Sequence, residues 1–211
     1  MLKNKEITTD IVLIDIIDFS KLDSKQQLEI ISFLTKSYRR VIEKMLAPTS
    51  TLLKEFIIGF ISTGDGFYSL LNPHYKGYGL ILGLSFNHFS EQISKKFPYF
   101  RGIRIAVHTG PISRFKDILN HENFIGDGLN DCARYLELKD FTISTVMVSD
   151  SAYKSFKNFL YYKKEYESIL KERGFKHSNL YTFEDKHGIT KHGYLVWMRK
   201  SGIITPPRYQ L

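Results

Sequence analysis

Two aspartates stand where apolar, β-branched runs break off. Asp15 lies near the end of IVLIDII (11–17), and Asp65 sits in STGDGFYSLL (62–71) between Gly64 and Gly66. Each alone has an ordinary reading. Asp15 can be a strand-terminal carboxylate bonded to backbone, and Asp65 a turn residue in a hairpin marked by its glycines. At matching ends of neighbouring strands, however, two carboxylates repel unless a cation lies between them. Oxygen ligands of this kind suit a hard divalent ion that keeps coordination places open for phosphate. Two such ions can hold both the attacking and the leaving oxygen of an in-line phosphoryl displacement. The pair therefore points to metal-assisted phosphate chemistry.

Two further stretches could serve it. In DIIDFSKL (15–22) the chain turns from strand to helix, and free backbone N–H groups near Phe19 and Ser20 could cradle a polyphosphate. A plain loop capped by Asp18 or Ser20 fits the same residues. In GDGLNDCAR (126–134), Asn130 and Arg134 are four apart and share a helix face. An amide and a fixed cation there suit a nucleotide, Asn on sugar oxygens and Arg on a phosphate gaining charge in the transition state. A solvated helix face explains a single N-x-x-x-R equally well. His108, His177, His187 and His192 have no metal-ligand spacing.

The elements that must position these residues follow from periodicity. IVLIDII is continuously apolar, as a central buried strand is. Asp23 or Ser24 caps a helix over 24–46, with Leu28, Ile31, Leu34, Tyr38, Val41, Ile42 and Met45 at helical spacing and Pro48 beyond its end. Residues 52–62 and 66–71 form the hairpin around Asp65. A second helix spans about 76–97 and ends at Pro98. RGIRIAVHTGPI (101–112) is a strand running into a Gly–Pro turn, and 124–138 a glycine turn leading into a helix. STVMVS (144–149) is a strand, with Asp150 capping a short helix. The remainder to Trp197 reads as mostly strand-like; FLYYKKEY (159–166) is a half-buried strand whose Tyr–Lys interleaving also suits nucleic acid. The order β-α-β-β-α-β is the ferredoxin-like, α+β pattern of a sheet with helices on one face. We expect one domain over 1–211, with a core of about 9–150 and a C-terminal, strand-rich elaboration over 151–211.

Bulk properties agree. The chain has 211 residues, 43% hydrophobic and 14% aromatic, enough for a full core. Its net charge of +8 favours an anionic partner without choosing among nucleotide, nucleic acid and membrane surface. The single cysteine, Cys132, forms no internal disulfide and agrees with a reducing compartment. MLKNKEITTD (1–10) has no signal-peptide core, and GYGLILGLSFNHF (77–89) is too short for a bilayer and is cut by Asn87 and His88. A soluble, cytoplasmic protein is expected, with no direct membrane insertion.

Taken together, VLIDIIDFSKL, STGDGFYSLL, IRIAVHTGPI and FIGDGLNDCAR, in that order, resemble the class III nucleotide cyclases, the adenylate and guanylate cyclase catalytic domain. The resemblance covers roughly 9–150, with a weaker match through 180–198. It implies a metal-binding role for Asp15 and Asp65, with the Ile16 carbonyl as an added ligand for two Mg2+ or Mn2+ ions. It makes Asn130 the residue that orients the ribose and Arg134 the one that stabilises the transition state. Lys186, in EDKHGITKHGYLVW (184–197), falls on the lysine that binds the terminal phosphates. In the family two domains pair head to tail and each site draws on both. One copy of each motif therefore implies a homodimer with two shared sites.

The base-reading positions depart from the purine pattern. Four residues before Asp65 stands Ile61, where purine cyclases carry lysine or glutamate. Three before Gly126 stands Asn123, where adenylate cyclases carry aspartate. Isoleucine cannot hydrogen-bond a purine edge. The short chain with TGDG and HTG is most similar to the pyrimidine (uridylate or cytidylate) cyclases of bacterial Pycsar antiphage systems, whose cUMP or cCMP acts on a separate effector protein. That resemblance implies a nucleoside triphosphate substrate, UTP favoured over CTP, and no nucleic-acid partner. The alternatives are an adenylate cyclase that reads its base by another residue, an inactive cyclase-like nucleotide-binding module, and a nucleic-acid protein on a palm-like fold.

Overall fold

The computed structural model describes residues 6–138, 145–200 and 203–208, and of 88–92 the backbone alone. Residues 1–5, Ser144 and the side chain of His88, all used in the sequence reading, lie outside the described residues. The elements are β1 (Ile7–Ile16), α1 (Ser24–Leu46), α2 (Leu53–Phe56), β2 (Ile57–Ser62), β3 (Gly66–Leu71), α3 (Gly79–Lys96), β4 (Ile103–Lys116), β5 (Glu122–Ile125), α4 (Asp127–Arg134), β6 (Val146–Ser149), α5 (Asp150–Tyr162), α6 (Lys164–Glu172), β7 (Phe175–His177), β8 (Tyr181–Glu184) and β9 (Thr190–Met198). The main sheet runs β2-β3-β1-β4-β6-β9-β7, with β5 paired to β4 and β8 to β9. β4 and β6 are parallel, and the other pairs antiparallel. The β-α-β-β-α-β core of the sequence reading is present, with β1 at its centre.

Alternation along the central strands sorts the two faces. Val12, Ile14 and Ile16 of β1 and Ile103, Ile105 and Val107 of β4 join the large cluster covered by α1, α3 and α5. Ile11, Leu13 and Ala106 face the other way, into a smaller cluster with Leu129, Cys132 and Tyr135 from α4 and the turn after it. Asp15 and Arg104 share the parity of that second face.

α1 begins on a capping box. Asp23 Oδ1 accepts the Gln26 N–H at 2.9 Å, and Gln26 Oε1 accepts that of Asp23 at 3.2 Å. Its buried stripe holds Ile30, Leu34, Tyr38, Val41, Ile42 and Met45, whereas Leu28, expected inside, is exposed. A polar anchor invisible to periodicity is Asp10, fully buried in β1. It accepts N–H bonds from Gly77 (2.7 Å) and Gly79 (2.8 Å) and the Thr109 hydroxyl (2.6 Å), tying the start of α3 to β1 and β4. Burial pushes its carboxyl pKa up despite these donors.

Several expectations are corrected. The 52–62 strand begins only at Ile57, because 53–56 form the turn α2. β4 does not turn at Gly110–Pro111 but pairs with β1 through Ile112 and runs on to Lys116, where it hairpins into β5. Ser149, not Asp150, caps α5, its side chain accepting from Ala152 N. FLYYKKEY is helical, split between α5 and α6, because Phe156, Phe159, Tyr166 and Leu170 are buried together at helical spacing. The C-terminal region therefore adds a second helix, α6, to the short helix and strands that the sequence indicates.

Candidate functional site

The carboxylate pair sits where β1 and β3 end side by side. Asp15 lies opposite Gly66, and the Ile16 N–H donates to the Asp65 carbonyl at 2.8 Å. The glycines are explained by space. A Cβ at Gly66 would lie 1.9 Å from the Ile14 carbonyl oxygen, and Gly64 turns at φ 92°. This close approach sets Asp65 beside Asp15. Asp65 is exposed, with the Thr63 hydroxyl on Oδ1 at 3.1 Å. The Asp15 side chain is only 13% exposed. Across β1, Arg104 of β4 donates to Asp15 Oδ2 through Nε (2.9 Å) and Nη2 (2.5 Å). It also reaches the Leu136 carbonyl at 3.3 Å. Burial raises the Asp15 pKa, Arg104 draws it back, and the Asp65 carboxylate raises it again, for a net upward shift. Both Arg104 bonds fall on Oδ2 of Asp15, so one guanidinium stands against two neighbouring carboxylates. A negative excess with carboxylate oxygens toward solvent fits a hard divalent cation.

A second charged cluster lies at the C-terminal end of α4. The helix packs by Gly128, Leu129 and Cys132, which leaves Asn130 exposed and Asp131 and Arg134 half-buried on its flank. The Cys132 thiol faces the Ile11 and Ala106 carbonyls at 3.7 Å each, and burial pushes its pKa far up, so it is a core group. Arg134 does not project freely. Its Nη1 is 2.7 Å from Asp131 Oδ1 and its Nε 3.1 Å from Asp185 Oδ2. Lys191 of β9 places Nζ 2.8 Å from the same Asp131 oxygen. The buried Asp185 carboxylate also accepts the His187 and Ile189 N–H groups at 2.9 Å each. Burial works to raise its pKa, but these two donors and Arg134 outweigh it and hold the pKa below the usual carboxylate value. Lys186, next in sequence, is exposed and pairs with Glu137, by Nζ at 3.4 Å and by its backbone N–H at 3.2 Å. The β8–β9 turn therefore sets Lys186 close to Arg134.

The base-reading positions fall differently. Ile61 pairs with Tyr68 and packs on the second-face cluster that holds Phe124 and Leu129. Tyr68 donates to the Leu129 carbonyl at 3.4 Å, and burial raises its pKa to about 12. β5 meets β2 through Phe124, whose ring lies where a Cβ on Gly59 would be. Asn123, the alternate residue, takes the opposite side of β5, and its Oδ1 accepts the Phe124 N–H at 2.8 Å. Ile61 has the aromatic neighbours Tyr68 and Phe124. Phe56 and Phe67 belong to the other sheet face, and Phe60 stacks on Phe67 at 4.7 Å. Phe19 and Ser20 open a single 3-10 turn, with Asp18 in the left-handed region before it.

Sequence reasoning missed Arg104, Asp131, Asp185 and Lys191. Arg104 was legible in part, since IRIAVHTG gives it the parity of a residue facing α4. Lys191 and Asp185 carry no local signal, because only the β8–β9 pairing brings them to α4. Among the described residues no three His, Cys, Asp or Glu side chains gather as a metal cluster, and no helix is long and apolar enough to cross a membrane.

This arrangement of sheet, covering helices and strand-rich C-terminal extension is the fold of class III nucleotide cyclase catalytic domains. The catalytic core of a rhodopsin-guanylyl cyclase with converted specificity, in complex with ATPαS, superimposes with a TM-score of 0.66 at 17% identity, covering 94% of this chain and 100% of the other. The guanylate cyclase domain of RhGC from Catenaria anguillulae, in complex with GTP, gives 0.66 at 17% identity over 93% and 100%. A non-canonical dimeric guanylyl cyclase domain of the RhoGC fusion protein from Blastocladiella emersonii gives 0.59 at 16% identity over 93% and 97%. No family model matches the sequence, and no curated protein matches it.

Proposed function

We propose that the chain is a nucleotide cyclase acting on a pyrimidine nucleoside triphosphate, UTP in preference to CTP. The observation that carries the reading is the juxtaposition of Asp15 with Asp65 on the sheet face that α4 also covers. The reaction joins the ribose 3′-oxygen to the α-phosphorus, breaks the bond from the α-phosphorus to the bridging oxygen and releases pyrophosphate. Asp15, Asp65 and the Ile16 carbonyl would hold Mg2+ or Mn2+, two per site, which when bound lowers the pKa of the 3′-hydroxyl and offsets charge on the phosphates. Asn130, exposed on α4, orients the ribose. Arg134 and Lys186 neutralise charge as it moves onto the phosphates.

Two equivalent sites in a head-to-tail homodimer are what the class III resemblance implies. Within one chain, Asp15 and Asp65 sit at the β1–β3 end, whereas Arg134 and its partners lie toward β8–β9. The exposed apolar side chains Ile118, Leu119 and Ile125 of the β4–β5 hairpin supply surface for a second copy.

The pyrimidine assignment rests on Ile61. With Tyr68 and Phe124 in its cluster it offers an apolar wall where purine cyclases have a charge. An apolar pocket discriminates mainly by size. Asn123, its Oδ1 already engaged, keeps its NH2 as the free donor, which suits the O4 of uracil better than the N4 amino group of cytosine. The rhodopsin cyclase of converted specificity shows that base choice is separable from this fold. By its resemblance to Pycsar cyclases, the chain acts as a single catalytic domain whose cyclic nucleotide signals to a separate effector in antiphage defence.

The test is incubation with each of the four nucleoside triphosphates and Mn2+, with mass detection of the cyclic monophosphate. UTP or CTP is cyclised at least about tenfold faster than ATP or GTP, and Ile61→Lys erodes that preference. ATP as the best substrate overturns the pyrimidine reading; no cyclic product from any of the four overturns the enzyme.

A further inference from the structure

A cavity of about 400 Å3 opens between α1 and the edge strand β2, on the sheet face away from α4. That volume is in the range of small-molecule pockets. Tyr38, Arg39 and Ile42 of α1 line one side, and Leu53 and Lys54 of α2 another. The remaining wall is the start of β2, whose pairing with β3 slips between Ile57 and Gly59. The carboxylate pair and the α4 cluster lie on the opposite face of the sheet, so this cavity is separate from both.

Two polar groups stand at its floor without partners. The side chains of Tyr38 and Ser69 are buried, and neither hydroxyl makes a hydrogen bond of ordinary geometry. Burial pushes the Tyr38 pKa far up, against a smaller pull from the neighbouring Ser69 hydroxyl, so the phenol keeps its proton. A hydroxyl buried without a partner costs free energy, and folded proteins keep few of them. One ligand oxygen, in a hydroxyl or a carbonyl, accepts from both. Phe60 stands across from Ser69 in the β2–β3 pairing, 48% exposed, with its ring resting on Phe67 at 4.7 Å. An outward swing of that ring opens the floor to a ligand. The mouth is cationic. Arg39 is paired with Glu43 at 2.7 Å, whereas exposed Lys54 has no ion-pair partner among the described residues.

We propose that this cavity binds a small amphipathic carboxylate. Its apolar body lies against Ile42 and Leu53, its hydroxyl or carbonyl end meets Tyr38 and Ser69, and its carboxylate faces Lys54. A cavity that is only loose packing under an edge strand behaves differently: Tyr38 and Ser69 then matter for stability and for no ligand.

The experiment is calorimetry on the full chain with ω-hydroxyoctanoate, octanoate and octylammonium as probes, and methyl NMR to locate them. The hydroxy acid binds roughly tenfold tighter than octanoate, through the hydrogen bonds at the floor, and octylammonium binds weakest. Tyr38→Phe and Ser69→Ala each bring the hydroxy acid down toward octanoate and leave octanoate unchanged. Lys54→Glu narrows the gap between octanoate and octylammonium about threefold or more. The methyl shifts centre on Ile42, Leu53 and Ile57. Thermal melts are the folding control, and losing an unpartnered buried hydroxyl leaves Tyr38→Phe at least as stable as the wild type. If Tyr38→Phe does not fold, Ser69→Ala decides. No binding of the hydroxy acid at millimolar concentration, equal affinity for the two acids, or methyl shifts centred elsewhere overturns the proposal. So does an undiminished hydroxyl advantage in either folded floor variant. The result is independent of which triphosphate, if any, the chain cyclises.

Discussion

Charge is balanced differently at the two ends of the face under α4. At the tips of β1 and β3, two neighbouring carboxylates, Asp15 and Asp65, face a single guanidinium, that of Arg104, which pairs with Asp15. Between α4 and β9, Arg134 and Lys191 meet Asp131 and Asp185 charge for charge. The first region keeps a negative excess and has an electrostatic use for a further cation. The second is neutral and takes an anion only by exchanging one of its own. A metal-nucleotide complex brings what each end lacks, cations to one and phosphates to the other, which is why we read them as halves of one chemistry contributed by two subunits.

The sharpest way to break that comparison is to disable each half separately. Asp65→Ala and Arg134→Ala should each cost about 10³-fold or more in turnover with the fold intact. Mixed and allowed to exchange, the two inactive proteins should regain about a quarter of wild-type activity, since half of the dimers are mixed and each of those holds one intact site of two. No recovery despite proven exchange would place both halves in one subunit or outside the mechanism.

A smaller effect sharpens the carboxylate end. Arg104→Met leaves Asp15 beside Asp65 without its counter-charge. Removing one partner of a half-buried pair should cost about 2 kcal/mol, between the exposed and the buried extremes. Mn2+ should restore more melting temperature to this variant than it adds to the wild type. Equal gains in the two proteins would mean that ion and guanidinium do not serve the same carboxylates.

The smallest effect reads the other end. His108 is buried, with Nδ1 2.9 Å from Ser149 Oγ. Burial lowers its pKa to about 4, Asp131 raises it and Lys191 lowers it. In the unfolded chain it titrates near 6.5, so between 6.5 and about 4 the unfolded state binds the extra proton. The stability it contributes is complete above pH 6.5 and is lost as pH falls toward 4, and His108→Asn should flatten that part of the melting-temperature profile. NMR titration of the ring should find the pKa lower still in Asp131→Asn and higher in Lys191→Met, each by a fraction of a pH unit. Shifts of the same sign in both variants would show that the pair does not sit across His108 as charge and counter-charge.

Much of the carboxylate end was legible in the sequence, because its causes are local. An unbroken apolar run makes β1, glycines at 64 and 66 make the turn and the close approach, and neighbouring strands in the β-α-β-β order bring Asp15 to Asp65. The helix over Ser24–Leu46 and the glycine turn into α4 were legible for the same reason. FLYYKKEY was misread because a short run of aromatics and lysines has no period of its own, and its helical state is set by what Phe159 and Tyr166 pack against.

Tertiary structure alone decided the α4 end. Asp131 and Arg134, three apart on one helix, could be read as a pair, but Lys191 and Asp185 lie more than fifty residues further on. They arrive through the pairing of β6 with β9 and of β9 with β8. Tertiary structure also set Ile61 in one cluster with Phe124, which β5 brings against β2 at Gly59. Sequence fixes which residue types stand at each turn and on which parity of a strand they fall. Which charges meet depends on strand order and on how the sheet's second face is covered, and those are properties of the whole packed chain.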